Sequence, residues 1–122
     1  MGLFSRKQSA SKLNWEPISN VQDLRTALEQ TNELPALFYK HSTRCSISSM
    51  ALNRLENEWE TSSDKCNLYF IDLIAHRDVS NLIAELTGVI HQSPQVILVN
   101  NNEVLYDASH SAIDAKIIEQ KL

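Results

Sequence analysis

Short apolar runs alternate with stretches of helical periodicity along most of the chain, and this alternation confines it to an α/β fold. The runs 36–40, 68–73 and 95–99 are too short for helices and apolar on both sides, as strands buried on two faces are. Between them, apolar residues recur every three or four positions. Val21, Leu24, Ala27 and Leu28 give an inner face to a first helix, opened by a Ser19–Gln22 capping pair. Ile47, Ala51, Leu55 and Trp59 do the same over 46–60. Val79, Leu82, Ile83 and Leu86 do so over 78–87, with Gly88 as the residue that ends the helix. The last stretch, 112–122, turns Ile113, Ile117 and Ile118 inward.

Residues 15–18 add a first strand, at an edge because Pro17 lacks an N–H for a second ladder. Residues 61–64 form a loop. Asn100, Asn101 and Asn102 tolerate the positive φ of a tight turn, so 104–106 returns as the hairpin partner of 95–99. The order is β-α-β-α-β-α-β-β-α. Strands joined through a helix run parallel with right-handed crossovers. These rules assemble a three-layer α/β/α domain with a mixed sheet of four to five strands, the thioredoxin-like architecture.

The 122 residues suffice for one core. Residues 1–13 are polar and read as a flexible N-terminal tail, and 14–122 as the domain. A formal net charge of −4 without a basic run argues against nucleic acid and anionic membrane as partners. No apolar run reaches the roughly 18 residues of a membrane span. The N-terminus lacks the apolar core of a secretory signal, and Arg6 stands where a myristoylation motif needs Ser or Thr. The expected compartment is the cytoplasm, where the two cysteines are reactive or buried rather than bridged.

Cys45 falls where the strand 36–40 ends and the second helix begins. There it meets the positive end of the helix and its unpaired N–H groups, which favour thiolate over thiol. Lys40 and Arg44 add positive charge. The flanking Thr43, Arg44, Ser46 and Ser48 are polar, so the thiol is expected to be reachable. Ser48 occupies the place of a second thiol in a Cys-x-x-Cys site. Cys45 is thus the candidate nucleophile, and Thr43, Arg44 and Ser48 are candidates for stabilising its thiolate or docking a substrate. Pro94 opens the strand 95–99 at the same sheet edge. A cis Ser93–Pro94 bond would expose the backbone of Ser93 to an extended substrate.

Cys66 precedes strand 68–73 while Cys45 follows strand 36–40. Parallel neighbours put the two at opposite edges, about 17 Å apart for a five-residue strand. A disulfide needs Cα atoms within about 7 Å, so Cys66 reads as a structural thiol. His41 and His91 lie near Cys45 and Pro94, where each is either a tuner of the thiolate or a solvated loop histidine. His41, His76, His91 and His110 show no metal-ligand spacing, so no metal is expected.

Three stretches together resemble the YtxJ family. They are Lys40-His41-Ser42-Thr43-Arg44-Cys45-Ser46-Ile47-Ser48, His91-Gln92-Ser93-Pro94-Gln95 and Ala108-Ser109-His110. The resemblance runs in order over residues 14–122. Members are thioredoxin-like proteins of Firmicutes, described as monothiol bacilliredoxins of the bacillithiol system. The resemblance implies an enzyme that removes bacillithiol from S-bacillithiolated proteins, with Cys45 attacking and Pro94 as the cis-proline beside it. Its partners would be those proteins and bacillithiol, a co-substrate, with no cofactor. Ser46 departs from the proline that many members carry, and it keeps an N–H at the helix start.

The chemistry of the residues agrees. A Cys45 thiolate would attack a mixed disulfide, and Ser48 could not resolve the adduct. The resolving thiol would come from bacillithiol, another protein, or Cys66 of another chain. Two other readings fit the scaffold. One is a redox sensor or adaptor in which Cys45 is modified without turnover. The other is a monothiol glutaredoxin-like iron–sulfur carrier, which needs Gly-Phe-Ser after the cysteine where this chain has Ser46-Ile47-Ser48.

Overall fold

The structure, a computed structural model, describes residues 13–61 and 64–122. The tail expected over 1–13 lies outside them except for Leu13, which packs at the margin of the core. Of the 61–64 loop, Ser62 and Ser63 also lie outside the described residues.

The first strand, β1 (Glu16–Pro17), is short and leads to helix α1 (Val21–Glu29). Then come β2 (Ala36–His41), α2 (Ser46–Glu58), β3 (Asn67–Asp72) and α3 (Arg77–Thr87). The hairpin β4 (Gln95–Asn100) and β5 (Glu103–Ser109) precedes α4 (Ala115–Gln120). The sheet order is β1-β3-β2-β4-β5. β2 is central and buried at every residue. It pairs in parallel with β3, Ala36 opposite Asn67 and His41 opposite Asp72. On its other side it pairs antiparallel with β4, Lys40 opposite Gln95. β1 is a parallel edge strand, the position its proline permits. The hairpin turns through Asn101 (φ 52°) and Asn102 (φ 63°), the two successive positive φ angles a tight two-residue turn demands.

Strand alternation divides the core in two. Leu37 and Tyr39 pack with Ala51 and Leu55 of α2 and Ala115 and Ile118 of α4. Phe38 packs with Leu24 and Leu28 of α1 and Val79 and Ile83 of α3. Each fully buried Leu or Ile adds about 1.5–3 kcal/mol of apolar burial.

The expected inner faces largely hold, with Leu24, Ala27, Leu28, Ala51, Leu55, Val79 and Ile83 all buried, and the differences lie at single positions. The cap of α1 is Asn20, whose side chain accepts the Asp23 N–H at 2.8 Å, rather than Ser19. Val21, the first residue of that helix, is exposed. In α2 the inward position is Ser48 rather than Ile47, which is 54% exposed. In α4, Ile118 is buried and Ile117 faces out. Leu86 opens onto a groove beside Leu28 and Val104 instead of closing the core. α2 stops at Glu58, so Trp59 packs from beyond the helix end.

Lys40 differs most from its expected role. Its nearness to Cys45 in the chain makes it an expected cation of the site, yet β2 turns it to the α3 face. It is fully buried, with Nζ 3.4 Å from the Ser80 carbonyl. Among the described residues no carboxylate pairs with it, and burial pushes its ammonium down to about 8. An unpaired buried charge costs stability. The unfolded chain holds this proton up to its ordinary value of 10.5, the folded chain only to about 8, so the cost is full below pH 8 and fades as pH rises from there to 10.5. Lys40→Met should therefore unfold at a higher temperature than wild type at neutral pH, and the gap should narrow as pH is raised through that window. Thermal unfolding of both proteins across the window checks this. A constant gap would contradict it.

Candidate active site

Cys45 is the N-cap of α2, with extended backbone (φ −119°, ψ 116°) and a side chain that makes no capping hydrogen bond. Its thiol is half-buried. Its backbone is held on both sides. The Cys45 N–H donates to the Ser42 carbonyl at 3.2 Å, and the Cys45 carbonyl accepts the Ser48 N–H at 3.1 Å. The first-turn amides of α2 and their partial positive charge thus lie next to the thiol.

Thr43 and Arg44 are exposed at this turn, open to an approaching partner. Ser48 is not, being fully buried. Its Oγ accepts the Ser42 N–H at 3.1 Å and lies 3.1 Å from His41 Nδ1. Its carbonyl accepts the Tyr39 hydroxyl at 2.7 Å, and burial pushes that phenol up. Ser48 is therefore part of the floor of the site, out of a substrate's reach.

Pro94 precedes Gln95, which faces Lys40 near the end of β2, so the register brings Pro94 to the same edge as Cys45. The Ser93–Pro94 peptide is cis. Gln95 braces the preceding loop, donating from Nε2 to the Ile90 carbonyl at 3.0 Å and accepting the Gln92 N–H at 3.4 Å. Ser93 Oγ is buried and has no hydrogen-bond partner among the described residues.

The histidines separate. His41 is 2% exposed, not a solvated loop residue, and packs in a three-ring cluster with Tyr39 and Phe70, which also contact each other. His91 instead faces α3, with Nδ1 3.4 Å from Ser80 Oγ. Burial, then the charges of Lys40 and Arg77, hold its imidazole below the usual histidine value. Of the two roles the sequence leaves open for His41, burial removes that of a solvated loop residue, and Tyr39 and Ser42 join the site from outside the expected set. Counting alternate residues back from the strand end would have put Tyr39 and His41 on the α2 side. Among the described residues no cluster of three or more His, Cys, Asp or Glu could hold a metal ion, and no helix is long and apolar enough to cross a membrane.

Cys66 lies beyond the opposite edge, preceding the Ala36–Asn67 pair. It is buried, its thiol donates to the Asn67 carbonyl at 3.4 Å, and burial pushes it up to about 12.

Solved structures share this frame. One, described as an inferred oxidoreductase with a thioredoxin fold, is 24% identical with a TM-score of 0.74, covering 87% of this chain and 91% of its own. Thioredoxin from Malassezia sympodialis is 14% identical with a TM-score of 0.68, covering 90% and 89%. Thioredoxin from Schistosoma mansoni is 16% identical at 0.63, covering 85% and 89%. The chain has the thioredoxin fold, and its cysteine at the head of α2 gives it the outline of a thiol oxidoreductase. The family model of the monothiol bacilliredoxin BrxC matches residues 16–118, and the chain belongs to that family.

The two thiols should differ sharply in reactivity. At neutral pH iodoacetamide should label Cys45 and leave Cys66 untouched until denaturant is added, as peptide mapping would show. Comparable labelling of both in the folded protein would contradict the burial of Cys66.

Proposed function

We propose that this protein is a cytoplasmic monothiol oxidoreductase that removes bacillithiol from S-bacillithiolated proteins, with Cys45 as nucleophile. The observation that carries the reading is the contrast between the two thiols. Cys45 is half-buried at a helix start, whereas Cys66 is sealed at the far edge of the sheet. Membership of the monothiol bacilliredoxin family supports bacillithiol-related substrates.

In the first step the Cys45 thiolate attacks the bacillithiol sulfur of a protein–bacillithiol disulfide. A Cys45–bacillithiol disulfide forms, the original S–S bond breaks, and the protein thiol leaves as thiolate and takes a proton from solvent. In the second step the thiolate of a free bacillithiol attacks that adduct, releasing bacillithiol disulfide and the Cys45 thiolate. Atoms and electrons balance with bacillithiol as co-substrate and no cofactor. Burial disfavours Cys66 of a second copy as the resolving thiol.

In this reading the exposed Thr43 and Arg44 meet the incoming protein, and Ser93 and Pro94 dock the chain that carries the mixed disulfide. The Ser93 hydroxyl, buried without a hydrogen-bond partner among the described residues beside Pro94, is consistent with that role. Ser48 acts from below, through the helix start that faces the thiolate.

The test is turnover of an S-bacillithiolated protein with bacillithiol in excess. Cys45→Ala should abolish turnover, and Cys66→Ala should retain it within about threefold, as for a change outside the reacting atoms. Equal loss in both variants would overturn the reading.

A further inference from the structure

The Ser48 hydroxyl has one proton and two lone pairs. One lone pair takes the Ser42 N–H, and His41 Nδ1 stands 3.1 Å from the same oxygen. Ser42 and Ser48 are also the residues that hold the Cys45 backbone, one through the Cys45 N–H and the other through the Cys45 carbonyl. The three residues therefore close a ring of hydrogen bonds: Cys45 to Ser42, Ser42 to Ser48 Oγ, and Ser48 back to Cys45. His41 is the side chain that steers the shared oxygen. Its ring is buried and packs against Phe70 at 5.1 Å and Tyr39 at 6.1 Å between centroids. A buried slot beside two aromatic rings would admit phenylalanine as well as histidine. The polar contact to Ser48 is one that phenylalanine there could not make.

We propose that His41 is the positioning residue of this site: by holding the buried Ser48 hydroxyl it locks the Ser42–Cys45–Ser48 ring and fixes the direction in which Cys45 presents its thiol. The inference rests on Cys45 being the reacting thiol, as proposed above. It assigns a role to a histidine that touches no substrate. Either neutral tautomer serves, since Ser48 donates to a bare Nδ1 or accepts from a protonated one.

The experiment compares wild type with His41→Phe, His41→Asn and Ser48→Ala. Phenylalanine keeps a ring in the slot without the nitrogen. Asparagine places an amide where Nδ1 stood and can donate or accept. The readouts are the alkylation rate of Cys45 by iodoacetamide at neutral pH, assigned by peptide mapping, and hydrogen exchange at the Ser42 amide. Thermal unfolding reports whether each variant is folded. His41→Phe and Ser48→Ala should slow alkylation by about three- to tenfold, the worth of one net hydrogen bond, and speed Ser42 exchange by a similar factor. His41→Asn should restore both toward wild type.

A folded His41→Phe with wild-type alkylation and exchange would overturn the proposal. Should that variant fail to fold, His41→Asn and His41→Leu form a pair of nearly equal shape, with and without the polar group. A slowed Leu beside a wild-type-like Asn supports the proposal, and equal rates overturn it. Alkylation uses no mixed disulfide. The predicted pattern in a protein that turns over no bacillithiolated substrate would therefore reject the bacilliredoxin reading and leave the role of His41 standing.

Discussion

The two ladders that hold β2 decide which chemical groups can meet. On one side the parallel pairing with β3 sends Cys45 and Cys66 to opposite edges. On the other, the antiparallel pairing with β4 starts a strand at the Cys45 edge and brings Pro94 there. Neither placement depends on a side-chain contact. A one-residue slip in either ladder would turn Leu37 and Tyr39 away from α2 and exchange the two halves of the core. Apolar burial of the whole strand makes that slip costly, and so the site is fixed by packing well before any polar group acts.

The polar end of β2 shows how alternation assigns roles. Lys40 and His41 are neighbours in the chain and both buried, yet they serve different faces. Lys40 goes with Phe38 to α3, reaches the Ser80 carbonyl, and adds charge beside His91. His41 goes with Tyr39 to α2 and joins Ser48 beneath the cysteine. The position that holds a second thiol in a two-cysteine site is taken by a hydroxyl engaged in structure. A chain so built holds Cys45 in place but sets no second thiol beside it. The proposed chemistry therefore draws its second thiol from solution.

The element order, the edge position of β1, the Asn101–Asn102 turn and the edge shared by Cys45 and Pro94 were all readable from residues alone. They follow from strong local signals: short two-sided apolar runs, a proline in a strand, asparagines in a turn. The separation of the two cysteines was also readable, because the parallel crossover rule carries it. Most inward helix positions were readable too, Leu24, Ala51, Leu55, Val79 and Ile118 among them, but the margins of those faces were not. Ile47 and Ser48 both sit about two turns ahead of Leu55, and the sheet surface settles which one faces in. The face taken by Lys40 was missed because its charge was weighed by nearness in sequence, whereas a strand alternates. For His41 the residues alone leave two roles open, tuner of the thiolate or solvated loop histidine, and its burial beside the rings of Tyr39 and Phe70 removes the second.

The proposed function rests on one sulfur, that of Cys45, accepting a small thiol from a protein. The most direct measurement is intact mass analysis after a single exposure of reduced protein to an S-bacillithiolated substrate, with no free bacillithiol present. The account predicts a gain equal to one bacillithiol less two hydrogens, located on Cys45, together with release of the substrate's free thiol. A covalent Cys45–substrate protein disulfide, an adduct on Cys66, or no adduct at all would contradict it.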